Sequence, residues 1–163
     1  NQIYSIALVH QVLYDHDSYA RIDMSDYLQR LVRQLVEQES DSHRCRFSVS
    51  AEPAGVEMDT AVPCGLIVTE GVTNAIKHAF PVDRPGTVSV RFSVTNGGES
   101  FVLTVRDDGV GIAGEIDAQR PKTLGMQLLS LQASQLGGTL SVTGGDGTTV
   151  TVTFPVVYYH RRQ

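Results

Sequence analysis

The chain has 163 residues, 41% of them hydrophobic and 19% charged, enough for one domain with its own core and ordinary for a water-soluble protein. A net charge of −5 without any basic block argues against a dedicated nucleic-acid or anionic-membrane binder. No apolar run approaches a membrane-spanning length, and Cys45 and Cys64 lack any paired spacing, which predicts reduced thiols in a cytoplasmic protein. No signal peptide is visible, and the start at Asn1 reads as that of an excised fragment.

In chain order, "NQIYSIALVHQVLY" places Ile3, Ile6, Ala7, His10 and Leu13 or Tyr14 at helical spacing and predicts a short helix. "IDMSDYLQRLVRQLVEQ" predicts a second, with Tyr27, Leu28, Leu31, Leu35 and Val36 as its apolar stripe and Asp23 or Ser25 as its cap. "RCRFSVSA" and "GVEMDT" read as two short strands. A third helix follows, with Pro63 near its start, Cys64 as a small core residue and Pro81 closing it. "GTVSVRFSVTN" and "SFVLTVRDDG" alternate as strands around "GGES". "AGEIDAQRPK" has no periodicity and reads as a loop. "TLGMQLLSLQASQLGG" predicts a helix capped by Thr123 and stopped at Gly137 and Gly138, and "TLSVTGGDGTTVTVTFP" a hairpin turning at 144–147. This order is not the βαβ alternation of a doubly wound sheet. It predicts an α+β fold, a two-layer α/β sandwich of a mixed sheet with helices on one face, preceded by a short N-terminal helix.

Three places carry chemistry. On an ideal wheel Glu70, Asn74, Lys77 and His78 fall within an arc of about 100°, while Val68, Val72, Ala75, Ile76 and Ala79 occupy the opposite arc. The apolar arc can pack on a sheet; the polar arc faces something that needs a carboxylate, an amide, an ammonium and an imidazole together. In strand alternation Phe101, Leu103, Val105 and Asp107 share a face, so a carboxylate ends an apolar row, an expensive position without a partner. Gly109 and Gly111 follow it and permit close backbone approach. A plain Asp108-Gly109 turn with Asp107 exposed is the competing reading. Thr148 ends a second apolar row, that of Val150, Val152 and Phe154, where an ordinary strand threonine is the alternative. Finally, the loop 113–122 leads into a helix start at Leu124-Gly125-Met126, where orphan N–H groups favour an anion. With Asn74, whose amide oxygen suits a hard cation, these features suggest a magnesium–polyphosphate site.

The chain resembles the catalytic ATP-binding (HATPase_c, GHKL or Bergerat) domain of bacterial sensor histidine kinases. "VPCGLIVTEGVTNAIKHAFP" looks like the N box, "DDGVGI" like the G1 box, "TLGMQLLSLQASQLGGTL" like the G2 box and "GTTVTVTFP" like the closing G-T strand. "IALVHQVLYDHDSYARIDMSDYLQRLVRQL" resembles the junction between dimerisation helices and catalytic domain in the HisKA_2 subgroup. The resemblance implies that residues 1–20 are the end of the dimerisation and phosphoacceptor helical region and 21–163 the ATP-binding domain. ATP and Mg²⁺ are the implied ligands. Asp107 would accept from the adenine 6-amino group, and Thr148 would support the same edge, directly or through water. Gly109 and Gly111 would let the chain pass close to the nucleotide. Asn74 would ligate Mg²⁺, Lys77 and His78 would lie near the phosphates, and Glu70 would be the catalytic residue that orients or deprotonates the attacking group. The loop 113–122 would be the lid, with Gly125 at its phosphate-facing end and Lys122 able to neutralise a phosphate.

The implied activity is phosphoryl transfer from ATP to a histidine on a helix outside this chain, with a response-regulator receiver domain downstream and a homodimeric full-length protein. No nucleic acid and no membrane contact by this segment are expected. His10 falls on the later of the two junction helices and reads as structural or surface; His16, His43 and His160 read as solvent-facing. Gly71 stands where the family usually has a bulky apolar residue, which predicts a locally softer helix, and Thr69 stands where asparagine is common beside the catalytic residue. Two alternatives remain: a nucleotide-binding regulatory module without transferase activity, and a serine kinase of the anti-sigma-factor type, which shares the boxes but does not need the junction helices.

Overall fold

Strand alternation places one apolar face on each of the central strands, and that face decides the architecture. The structure, a computed structural model, describes residues 2–14, 21–39, 45–79, 85–110 and 123–156, with the side chains of residues 2–4, 14, 78 and 79 outside that description. Five strands form a mixed sheet: β2 (Cys45–Ala51), β4 (Gly86–Thr95), β5 (Ser100–Asp107), β7 (Thr148–Pro155) and β6 (Thr139–Thr143), in that spatial order. β2 runs parallel to β4 and every other pair is antiparallel. Val88, Val90 and Phe92, Phe101, Leu103 and Val105, and Val150, Val152 and Phe154 are buried on one face. The intervening Ser89, Arg91, Thr104, Arg106, Thr149 and Thr151 lie on the other, as the period of two requires.

Helices α2 (Met24–Gln38), α3 (Met58–Asn74) and α4 (Leu124–Gln135) cover the apolar face. Asp23 caps α2 by accepting from the Ser25 N–H at 3.0 Å, and Met24, Tyr27, Leu28, Leu31, Val32 and Leu35 are its buried stripe. Thr123 caps α4 through the Met126 N–H at 3.1 Å, and Gly137, at φ 69°, ends it. Tyr27 lies over Gly65, where no side chain would fit, and donates its hydroxyl to the Ala61 carbonyl at 2.8 Å, which ties α2 to α3. Cys64 is fully buried beside it, and burial pushes its thiol well above its ordinary range. The expectation of a core cysteine there is met.

Three details differ from the sequence reading. In "GVEMDT" only Gly55–Val56 is strand (β3), paired with a two-residue β1 (Ile22–Asp23); Glu57 is already the N-cap of α3. Pro63 is therefore the sixth residue of α3, where its missing N–H forfeits one helical bond. Helix α1 (Gln2–Tyr14) buries Leu8, Val9, Val12 and Leu13 against α3 and α2, while Ile6 is 47% exposed and His10 is also exposed. Apolar residues lie on both sides of this helix, so periodicity alone did not select the face; the hydrophobic groove between α2 and α3 did. Pro81, His16, His43 and His160 lie outside the described residues.

Candidate functional site

The row across the sheet end reads Val88, Asp107, Thr148 on β4, β5 and β7. Asp107 is 6% exposed, and the alternative of an exposed turn aspartate is excluded. Its Oδ1 accepts from the Gly109 N–H at 2.9 Å and the Thr148 N–H at 3.3 Å. Its Oδ2 has no hydrogen-bond partner among the described residues. Burial pushes the carboxyl above its ordinary value; the Gly109 and Thr148 donors pull it down and the Asp108 charge pushes it up, with burial dominant. One oxygen is thus clamped and the other left for a donor that the described part of the chain does not supply.

Helix α3 runs in the same sense as β5: residues Met58 to Pro63 lie near Phe154 and Pro155, and Gly71 lies against Val105. Asn74, one turn beyond Glu70, therefore extends toward the sheet end that carries Asp107. Val68, Val72, Ala75 and Ile76 are buried on the sheet side, as the wheel predicts, while Glu70 is half-buried and Asn74 and Lys77 are exposed. Beyond Asn74 the helix widens into a π-turn over Ala75–Ala79. The ideal wheel therefore does not hold for Lys77 and His78, and π-turns of this kind often mark functional sites. The side chain of His78 is outside the described residues.

Asn74 Nδ2 donates to Glu70 Oε1 at 3.2 Å. A carboxylate can only accept, so the amide nitrogen faces it and Asn74 Oδ1 is directed away, with no partner among the described residues. That oxygen is a single hard donor, which fits Mg²⁺ completed by phosphate and water better than a cage built from protein alone. No cluster of three His, Cys, Asp or Glu occurs among the described residues. Gly125, in the first turn of α4, lies directly against Glu70 Oε1, with Asn74 Nδ2 also close; a side chain here would collide with the carboxylate. The structure thus brings Glu70, Asn74 and the N-terminal turn of α4 together. Gly109 is at the Asp107 end, while Gly111, Lys122 and the loop 113–122 lie outside the described residues.

Two features explain the unusual residues of α3. Thr69 is buried and its hydroxyl donates to the Gly65 carbonyl at 2.8 Å, so it serves the helix and not the site. A methyl at Gly71 would sit 2.8 Å from Val105 Cγ1, so the glycine allows a close helix–sheet crossing. Two further residues escaped the sequence reading, Asp108 and Gly147. Asp108 accepts from the Thr87 N–H at 2.7 Å. Gly147, at φ 92°, lies against the Asp107 carbonyl and the Asp108 Cα. Their signals were the doubled acid of "RDDG" and the glycine immediately before Thr148.

Residues 59–158 match the family described as histidine kinase-, DNA gyrase B-, and HSP90-like ATPase, and residues 1–39 match one described as histidine kinase. Blue-light-activated histidine kinase 2 of Erythrobacter litoralis is 38% identical over 112 residues, 68% of this chain and 32% of that protein. The solved histidine kinase domain of the E. litoralis EL346 blue-light activated histidine kinase superposes with a TM-score of 0.78 at 30% identity, covering 95% of this chain and 75% of that one. An anti-sigma F factor of Halalkalibacterium halodurans is 38% identical over 64 residues, 39% of this chain and 42% of that protein. The chain spans about a third of the length of the histidine kinases it matches in sequence. No helix among the described residues is long and apolar enough to cross a membrane.

Proposed function

The chain belongs to the family of histidine kinase-, DNA gyrase B- and HSP90-like ATPases, and we propose that it is the catalytic, Mg-ATP-binding part of a two-component sensor histidine kinase. The observation that carries this reading is the half-satisfied Asp107: Oδ1 is clamped by two main-chain donors and Oδ2 is left at the end of an apolar row. An adenine 6-amino group is the donor that this arrangement suits, with Thr148 beside it on the next strand. Gly109 permits the close passage of the base, and Gly111 and Lys122 are assigned with the lid, 113–122, on the resemblance of the boxes. The triphosphate would then extend toward α3 and the start of α4, where Asn74, Lys77, His78 and the Gly125 turn are assigned to it.

When bound, Mg²⁺ would neutralise phosphate charge. Asn74 Oδ1 would hold it, and the Glu70 carboxylate fixes the Asn74 amide for that task. In the transfer, a ring nitrogen of the acceptor histidine forms a bond to the γ-phosphorus while the bond to the bridging oxygen of ADP breaks. The histidine must be neutral at attack, and Glu70 would accept a hydrogen bond from its other nitrogen, which orients the ring and offsets its developing positive charge. The chain's main contribution to such a loose transition state is position and charge.

Residues 1–20 are assigned to the end of the helical region that carries the acceptor elsewhere in the protein, in keeping with the match over residues 1–39. The phosphorylated histidine would supply a response-regulator aspartate, and the full-length protein would be a cytoplasmic homodimer. The partial match to anti-sigma F factors supports a second reading, a serine kinase acting on a separate protein. Titration of an ATP analogue with and without Mg²⁺, followed by mixing with a separate acceptor-helix protein, tests both. Magnesium-dependent binding and acid-labile phosphate on the helix are expected. Absence of nucleotide binding refutes the site, and acid-stable phosphate refutes the histidine acceptor.

A further inference from the structure

We infer that Asp108 is a positioning residue that sets selectivity for the base, acting through the main chain of β4 on the neighbouring Asp107. The inference rests on the adenine reading of Asp107. Asp107 pairs with Val88, and the next pair outward would be Asp108 with Thr87. One bond of that pair is ordinary: the Asp108 N–H donates to the Thr87 carbonyl at 3.2 Å. The other is not. The Thr87 N–H donates at 2.7 Å to Asp108 Oδ1, so the side chain takes the place that the main-chain carbonyl would have in a continued ladder.

This substitution solves a geometric conflict. The chain must leave the sheet immediately after Asp107, because the Asp107 carboxylate reaches forward to the Gly109 N–H at 2.9 Å. A main chain that turns there loses its last ladder bond, and the end of the strand is free to fray. The Asp108 carboxylate closes the pair without requiring the main chain to stay extended. On the opposite side Gly147 lies against the Asp107 carbonyl and the Asp108 Cα, and the Thr148 N–H reaches Asp107 Oδ1. The Asp107–Asp108 dipeptide is thereby held by Thr87 of β4, through Asp108, and on the other side by Gly147, in the turn before β7, and Thr148 of β7. Asp107 is buried at the end of the apolar row, whereas Asp108 is exposed beyond the end of β5.

The experiment compares binding of ADP with that of inosine diphosphate, which carries an oxygen in place of the 6-amino group, in the wild-type chain, Asp108→Asn and Asp108→Glu. Asparagine keeps an acceptor at the same reach and removes the charge; glutamate keeps the charge and moves the acceptor by one methylene. The wild type and Asp108→Asn should prefer ADP, and Asp108→Glu should lose about tenfold of that preference, the scale of one hydrogen bond to a charged group. A general loss of folding or of phosphate binding would lower both affinities together and leave their ratio unchanged, which would overturn the inference. So would an unaltered preference in Asp108→Glu, or a loss of preference in Asp108→Asn. A wild type that does not distinguish the two nucleotides would instead refute the adenine reading of Asp107 itself.

Discussion

Replacing Gly71 with alanine sets two effects against each other. Gly71 is inside α3, where alanine is favoured over glycine by about 1 kcal/mol. Against this, the new methyl would lie 2.8 Å from Val105 Cγ1 and 3.0 Å from Val105 Cβ. Valine is branched at the contact and cannot swing away, and Val105 sits in a central strand between β4 and β7. Overpacking of this kind costs about 1–3 kcal/mol. The net expectation is a destabilisation of up to about 2 kcal/mol, or several degrees in Tm for a domain of this size. Val105→Ala alone should cost about 2 kcal/mol through lost methyl burial and a residual cavity. The double variant lets the new methyl occupy the vacated space, so its cost should fall short of the sum by about 1–2 kcal/mol. Urea titrations with unchanged m-values measure all three. A Gly71→Ala protein stabilised by the full propensity gain, with strictly additive behaviour in the double variant, would show that α3 and β5 are not in close contact and refute the packing argument. Because the same crossing sets the separation of Asp107 from Glu70 and Asn74, Gly71→Ala should also weaken nucleotide binding.

Asp107→Asn should abolish binding of an ATP analogue, measured by calorimetry, while the circular dichroism stays native. Burial raises the folded-state pKa of Asp107 above the ordinary value of 3.8, so the ionised carboxylate opposes folding once the pH exceeds that range. The asparagine variant should therefore be at least as stable as the wild type at pH 7. Its advantage should shrink as the pH falls through the folded pKa and vanish below 3.8; a variant clearly less stable at neutral pH would contradict this sign. Asn74→Ala should reduce magnesium-dependent affinity by about tenfold or more, and an affinity indifferent to metal and variant alike would give the polar arc of α3 another purpose. Gln132 is buried with Oε1 unpaired among the described residues, so Gln132→Met should stabilise the fold by about 1 kcal/mol in urea titration. Incubation of this chain alone with ATP should leave no acid-labile phosphate on the exposed His10.

Much of the fold was legible because short-range rules governed it. Asp23 and Thr123 cap helices as their side chains allow, Gly137 stops α4, and alternation assigned every buried residue of β5, including the carboxylate at its end. The polar side of α3 was readable up to Asn74 for the same reason, since Val68 and Val72 demanded the sheet. The readings that failed concerned local signals that were ambiguous. Helix α1 has apolar residues on both sides, and the start of α3 lacks a side-chain cap that would have announced Met58.

The periodicity, caps and glycines of the chain determined its elements, the sheet face that each presents, and the candidacy of Asp107, Glu70 and Asn74. Only the tertiary structure decided which residues meet across elements: Gly71 with Val105, Gly125 with Glu70, Asp108 with Thr87 and Gly147 with Asp107. The physical reason is that hydrophobic periodicity records a preference for being buried but not the identity of the neighbour. A glycine's missing side chain, or a carboxylate's choice of donor, acquires meaning only when another segment occupies the adjoining space.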